Sequence, residues 1–285
     1  MPCEISRRIY RWRWSSFALK RRLERLRTEL AQLPRIGVGV PLHDLDPDLD
    51  GRLAPLRKAG RELELADFDQ DGGLVSRFGE IAGIRTIDPV RFMPRRGCPV
   101  VLVDLDGRLG VRKEFGGRIG AFVLELEALL SLERLNCPVP QLMNVDWQSH
   151  AITMTYVRGG VVRELLAAAG AKIRDRDAPD VQYSRSVDKQ RIRDGRAALP
   201  GVLSRKQVAD IADALASIHS AGFALEDVKF GNIIIEAESG APIFVDLERA
   251  LPISSLPPFL ADHLRQIDLN KLREHFGDLL PRETQ

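Results

Sequence analysis

Residues 218–235 read IHSAGFALEDVKFGNIII, and residues 242–248, a short turn later, read PIFVDLE. The first run opens as the end of a helix. Upstream, Val208, Ile211, Ala212, Leu215 and Ile218 recur at the spacing of one buried helical face over residues 205–219. Ser220-Ala221-Gly222 ends that helix, with Gly222 in the C-cap position. A polar loop follows and carries Asp227, Lys229 and Asn232. Two β-rich runs, GNIIIEA and PIFVDLE, are joined by a Ser239-Gly240 turn, and the second leaves Asp246 at a strand end.

An isolated Asp or Asn in a turn serves as well as an Asx cap. The setting, between a helix ending His219-x-x-Gly222 and a hairpin ending in an aspartate, points to chemistry. Phosphoryl transfer asks a protein mainly for position and charge. Asp227 can orient an attacking hydroxyl and accept its proton, and Lys229 can neutralise charge on the moving group. Asn232 and Asp246 offer the oxygen ligands that magnesium prefers. The order resembles the catalytic half of the protein-kinase-like superfamily. The resemblance implies an α+β, two-lobed protein-kinase-like fold with a small β-rich N-lobe and a reduced helical C-lobe, using ATP and Mg2+.

It also implies partners upstream. Short strand signals begin near residue 84: IRTIDPVRF, CPVVLVDLDG and RLGVRKEF, the last two joined by an Asp106-Gly107 hairpin turn. Lys113, in GVRKEF, stands where the family places the lysine that holds the α/β-phosphates. A helix is expected over residues 120–135. Its Glu125 is the favoured partner of Lys113, and Glu127 is the alternate, since the two cannot share a helix face. Strands QLMNVDWQ and AITMTYV follow, then a Gly159-Gly160 turn. The run MTYVRGG resembles the hinge, with adenine meeting the backbone around Thr155, Tyr156 and Val157 and with Met154 behind it.

Several features depart from conventional protein kinases. The hairpin tip before Lys113 is Pro94-Arg95-Arg96-Gly97 and not a glycine-rich loop. Leu225-Glu226 stands in place of His-Arg, which argues against switching through a phosphorylated activation loop. The metal segment is Asp-Leu-Glu, where Glu248 either adds a carboxylate or faces solvent. Little chain follows Asp246 beyond one helix over residues 258–276. The small size, the D-x-x-R run at residues 246–249 and the tail HLRQIDLNKL resemble the Kdo/heptose lipopolysaccharide kinases. The expected acceptor is therefore the hydroxyl of a sugar or glycolipid. A protein acceptor, as in an atypical Ser/Thr kinase, and a catalytically inactive pseudokinase scaffold are the alternatives.

The 285 residues, 44% hydrophobic, suffice for a substantial core. The expected division is 1–80, a basic helix and linker; 81–157, the N-lobe; and 158–285, the C-lobe, with a charged insertion at 169–203 read as a lid or surface loop. Residues 4–33 form a basic, aromatic helix that either docks on the main domain or lies on an anionic membrane surface. Residues 41–72 read as linker and a short helix; DPDLD within them lacks the ligand pattern of an EF-hand. Net charge is +2, and nucleic acid is the weakest of the candidate partners. Three scattered cysteines give neither a disulfide framework nor a zinc site. A cytoplasmic protein, peripheral to the inner membrane face if the basic helix binds there, is the expectation.

Overall fold

The computed structural model describes residues 16–31, 62–64, 74–76, 83–88, 98–171 and 185–281. The chain is α+β and divides into two compact units: Met1–Glu127 with Gln141–Tyr156, and Ala128–Pro140 with Val157–Gln285. The first is β-rich and the second mostly helical. No helix among the described residues is long and apolar enough to cross a membrane.

Among the described residues, the first element of the first unit is α1 (Ser16–Ala31), and the unit contains a seven-stranded sheet. Its strands are β1 (Glu62–Glu64), β2 (Leu74–Ser76), β3 (Gly83–Asp88), β4 (Val100–Leu105), β5 (Arg108–Glu114), β6 (Leu142–Asp146) and β7 (Ala151–Thr155). They lie in the order β1-β3-β4-β5-β7-β6-β2, and every pairing is antiparallel. The stretch read as linker and short helix thus supplies an edge strand, with Glu62 opposite Arg85. Three residues carry too little local preference to reveal a strand that depends on its partner. The β4–β5 turn is the expected one. Asp106 and Gly107 have φ of 47° and 80°, the twist-compatible turn that places Val100 opposite Lys113. Ile84, Val101, Val103, Leu105 and Met143 form an apolar core on this sheet.

Helix α2 (Ile119–Arg134) follows β5. Asn136, at φ 54°, ends it: its N–H reaches the Glu133 carbonyl, and the N–H of Cys137 reaches that of Leu132. Asparagine tolerates this left-handed position better than other side-chain-bearing residues.

The second unit holds β8 (Gly159–Val161), α3 (Val162–Ala168), α4 (Arg185–Ala198), α5 (Arg205–Ser220), β9 (Phe223–Ala224), β10 (Ile233–Glu236), β11 (Pro242–Phe244), β12 (Leu251–Pro252) and α6 (Pro258–Phe276). Two expectations change here. The Gly159-Gly160 pair makes a strand, paired with β10 so that Gly160 faces Ile235. A Cβ on Gly159 would lie 2.0 Å from the Ile235 carbonyl oxygen, so the glycine serves backbone approach rather than a turn. The charged insertion is not all loop: α4 and the short 3-10 segment Leu199–Gly201 occupy its end, and Leu199 and Leu203 are buried. Residues 172–184 of the insertion lie outside the described residues, as does the Pro94–Gly97 tip.

Candidate active site

In the first unit, the antiparallel register sets Lys113 opposite Ile152 at the end of β5. Lys113 is 6% exposed and its Nζ lies 2.6 Å from Glu125 Oε2, which is 1% exposed. Of the two candidate glutamates, Glu125 is therefore the one that meets the lysine. Glu127 instead accepts from Arg22 and Arg25 of α1. An ion pair this deeply buried is retained at a desolvation cost, and a cation held rigidly under a carboxylate is suited to meeting phosphate oxygens. Met154 is buried in β7, while Tyr156 and Val157 are half-buried and flank the division between the units. The Thr155 and Tyr156 N–H groups donate to the carbonyls of Gln141 and Leu109.

The unit also carries a buried group with no sequence signal. Arg112 and Asp146, 2% and 0% exposed, pair at 2.8 Å. Burial pushes the Asp146 carboxyl up, but Ser149 and Arg112 outweigh it and hold it below its usual value. The two residues are remote in sequence, and each alone reads as a surface charge.

In the second unit, α5 delivers the loop. Its start is fixed by a capping box: Ser204 accepts from the Gln207 N–H, and the Gln207 side chain accepts from the Ser204 N–H. Its end turns at Gly222, φ 85°, whose carbonyl takes the Ile253 N–H. The loop then closes on itself. Lys229 Nζ lies 2.5 Å from Asp227 Oδ2, and Asn232 Nδ2 donates to the Asp227 carbonyl at 3.0 Å and to Oδ2 at 3.2 Å. Asn232 thereby directs its side-chain oxygen away from Asp227. Its backbone carbonyl takes the N–H of Val245 at 3.0 Å, which ties the residue before Asp246 to the same loop. Asp246 and Glu248 are half-buried, and their carboxylate oxygens lie within 4.8 Å of each other. These hard oxygen donors fit magnesium by type.

Two residues here hold left-handed backbone without being glycine: Glu226 at φ 59° and Asp246 at φ 62°. Such conformations cost on the order of 1–3 kcal/mol and persist where surroundings over-determine them. For Glu226 the surroundings are visible. Asp268 of α6, wholly buried, accepts the N–H of Leu225 and the N–H of Glu226, both at 2.7 Å. His219 Nε2 lies 3.0 Å from the same carboxylate. Asp268 and His219 were given no role in the site from sequence. A signal existed: Leu264, Asp268 and Leu272 are all buried at i, i+4 spacing, so a charge sits in the apolar stripe of α6.

Within the loop, Phe230 packs edge-on against His275 and Phe276, with ring centroids at 4.6 and 5.3 Å. Burial drives the His275 pKa down to about 4.

No family model matches the chain, and no curated protein matches it either. Among solved structures, that of vaccinia related kinase 3 is similar at 13% identity, with a TM-score of 0.43, over 76% of this chain and 70% of that one.

Proposed function

We propose that the chain is an ATP- and magnesium-dependent phosphotransferase that places the γ-phosphate on a hydroxyl. The observation that carries this is the closed loop Asp227–Lys229–Asn232, with Asp246 tied to it through Val245. A general base, a cation and oxygen ligands stand together in one loop. Asp227 orients the acceptor hydroxyl and takes its proton. Lys229, now paired with Asp227, neutralises charge on the moving phosphoryl group and keeps its proton. Asn232 and Asp246 hold magnesium, which supplies charge neutralisation on the phosphates when bound. Lys113, set by Glu125, meets the α/β-phosphates. The backbone at Tyr156 and Val157, with Met154 behind, takes adenine. The two units then correspond to a kinase-like N-lobe and C-lobe.

The acceptor class proposed is a sugar or lipid-linked glycan. Its support is that Leu225 and Glu226 stand in place of His-Arg, so the loop lacks the arginine that would pair with a phosphorylated activation loop. Of the basic segment, Arg22 and Arg25 are engaged with Glu127 and Arg27 with Trp147, while residues 4–15 lie outside the described residues.

The deciding measurement is a thermal shift with millimolar Mg-ATP on the parent and D246A. The parent is expected to gain stability and D246A to lose most of that gain. No shift in the parent sinks the proposal. Labelled ATP offered with glycolipid and with protein extracts then separates the glycan acceptor from a protein one.

A further inference from the structure

Two carboxylates of helix α2, Glu125 and Glu127, leave it on nearly opposite sides, at about 100° per residue. Glu125 reaches Lys113. Glu127, 8% exposed, takes Arg22 on Oε2 and Arg25 on Oε1. A carboxylate so far from water requires such pairing, and two arginines on separate oxygens fix its orientation. Residues 122–130 of α2 are all buried, so this helix keeps no solvent stripe along that stretch. On α1, Leu26 and Leu30 are buried as well.

A second line of contact runs from α1 to the lysine. The Arg27 guanidinium lies 4.9 Å from the centre of the Trp147 ring. Trp147 packs edge-on against Phe122 of α2 at 5.6 Å, and Phe122 against Phe115 at 5.8 Å. Lys113 Nζ lies 5.1 Å from the Phe115 ring. α1 thus touches α2 on the Glu127 side and, through three aromatic rings, reaches the neighbourhood of Lys113. A rotation of α2 that drew Glu127 out of α1 would carry Glu125 off Lys113, because both ride on one rigid helix.

We infer that Arg22, Arg25 and Glu127 are positioning residues for Lys113: α1 clamps α2 in the rotation at which Glu125 meets the lysine. The consequence for ATP rests on the phosphotransferase proposal; the clamp itself does not.

The test uses the full chain as parent, R22A/R25A and the conservative R22K/R25K. The first readout is acylation of Lys113 by an amine-reactive ester, followed by mass spectrometry. Amide exchange across the β4–β5 hairpin serves as reference for the unit. R22A/R25A is expected to raise Lys113 labelling about 2- to 30-fold, the span of couplings carried through packed elements. Hairpin exchange should stay constant, and R22K/R25K should keep most of the protection. The second readout is steady-state kinetics: KM for ATP should rise by a comparable factor with kcat moving less. Unchanged Lys113 labelling overturns the clamp whatever ATP does, and so does labelling that rises only in step with hairpin exchange. Raised labelling in a protein whose parent binds no Mg-ATP upholds the clamp and sinks the phosphotransferase proposal instead. If R22A/R25A melts below the assay temperature, R22A and R25A, each leaving Glu127 one arginine, go through the same comparison, and labelling equal to the parent there overturns the clamp.

Discussion

Asp268 has donors on both carboxylate oxygens and no contact with solvent. D268A would strand the N–H groups of Leu225 and Glu226. At about 1–3 kcal/mol for each unsatisfied buried donor, the expected loss is on the order of 2–6 kcal/mol in urea unfolding. A loss below about 1 kcal/mol would show that the left-handed Glu226 is held by something else. Asp227 makes the opposite case, since it is partly open and its proposed work is chemical. D227A is expected to lower turnover by about 10²–10⁴-fold, the usual contribution of a positioned general base. Its Mg-ATP thermal shift should match the parent's. A lost shift would move Asp227 from base to nucleotide ligand. The asymmetry between these residues also explains what was legible. Asp227, Lys229, Asn232 and Asp246 lie in a short, ordered run whose spacing is visible in a string of letters. The groups that steady the run come from α6 and from the end of α5, and only the charge inside the apolar stripe of α6 hinted at them.

At the scale of elements, hydrophobic period was a good guide and polarity a poor one. Helix α6 appears at the expected residues, 258–276, and α5 within one residue of its expected end. Helix α4 was missed because its charged sequence gives no apolar stripe; it packs on α6 and lays Arg196 along the backbone of Gly277. Glycines mislead in a similar way, since a letter does not say whether it provides φ or space. Gly107 has φ 80° with open space around its missing Cβ, whereas Gly159 combines φ 150° with a carbonyl oxygen 2.0 Å from that position. G107A should therefore cost only the conformational penalty, about 1–2 kcal/mol. G159A must separate β8 from β10 and is expected to cost more than about 3 kcal/mol. Equal urea midpoints for the two variants would refute the distinction. The Ser204 capping box was present in the sequence as Ser-x-x-Gln at residues 204–207; S204A should remove about 1 kcal/mol.

Across the whole chain, acid stability should come in two separate steps. His275 is neutral in the fold, with its pKa lowered from 6.5 to about 4 by burial; Glu274 and Asp227 oppose the shift, and Lys271 and Lys229 assist it. Its Nδ1 has no hydrogen-bond partner, so a proton there gains no hydrogen bond. The unfolded chain takes that proton first as pH falls. Stability is thus complete above about pH 6.5 and declines until about pH 4, by about 3 kcal/mol in all and about 2 kcal/mol by pH 5. Asp146 acts lower. Its folded pKa is depressed, so its contribution is full above the ordinary aspartate value and disappears as pH falls below it. H275F keeps a ring against Phe230 and removes only the upper step. Urea midpoints between pH 7.5 and 3 should show the parent declining from pH 6.5, and H275F flat until the carboxylates titrate. If both proteins decline together between pH 6.5 and 5, the burial of His275 does not set the acid limit.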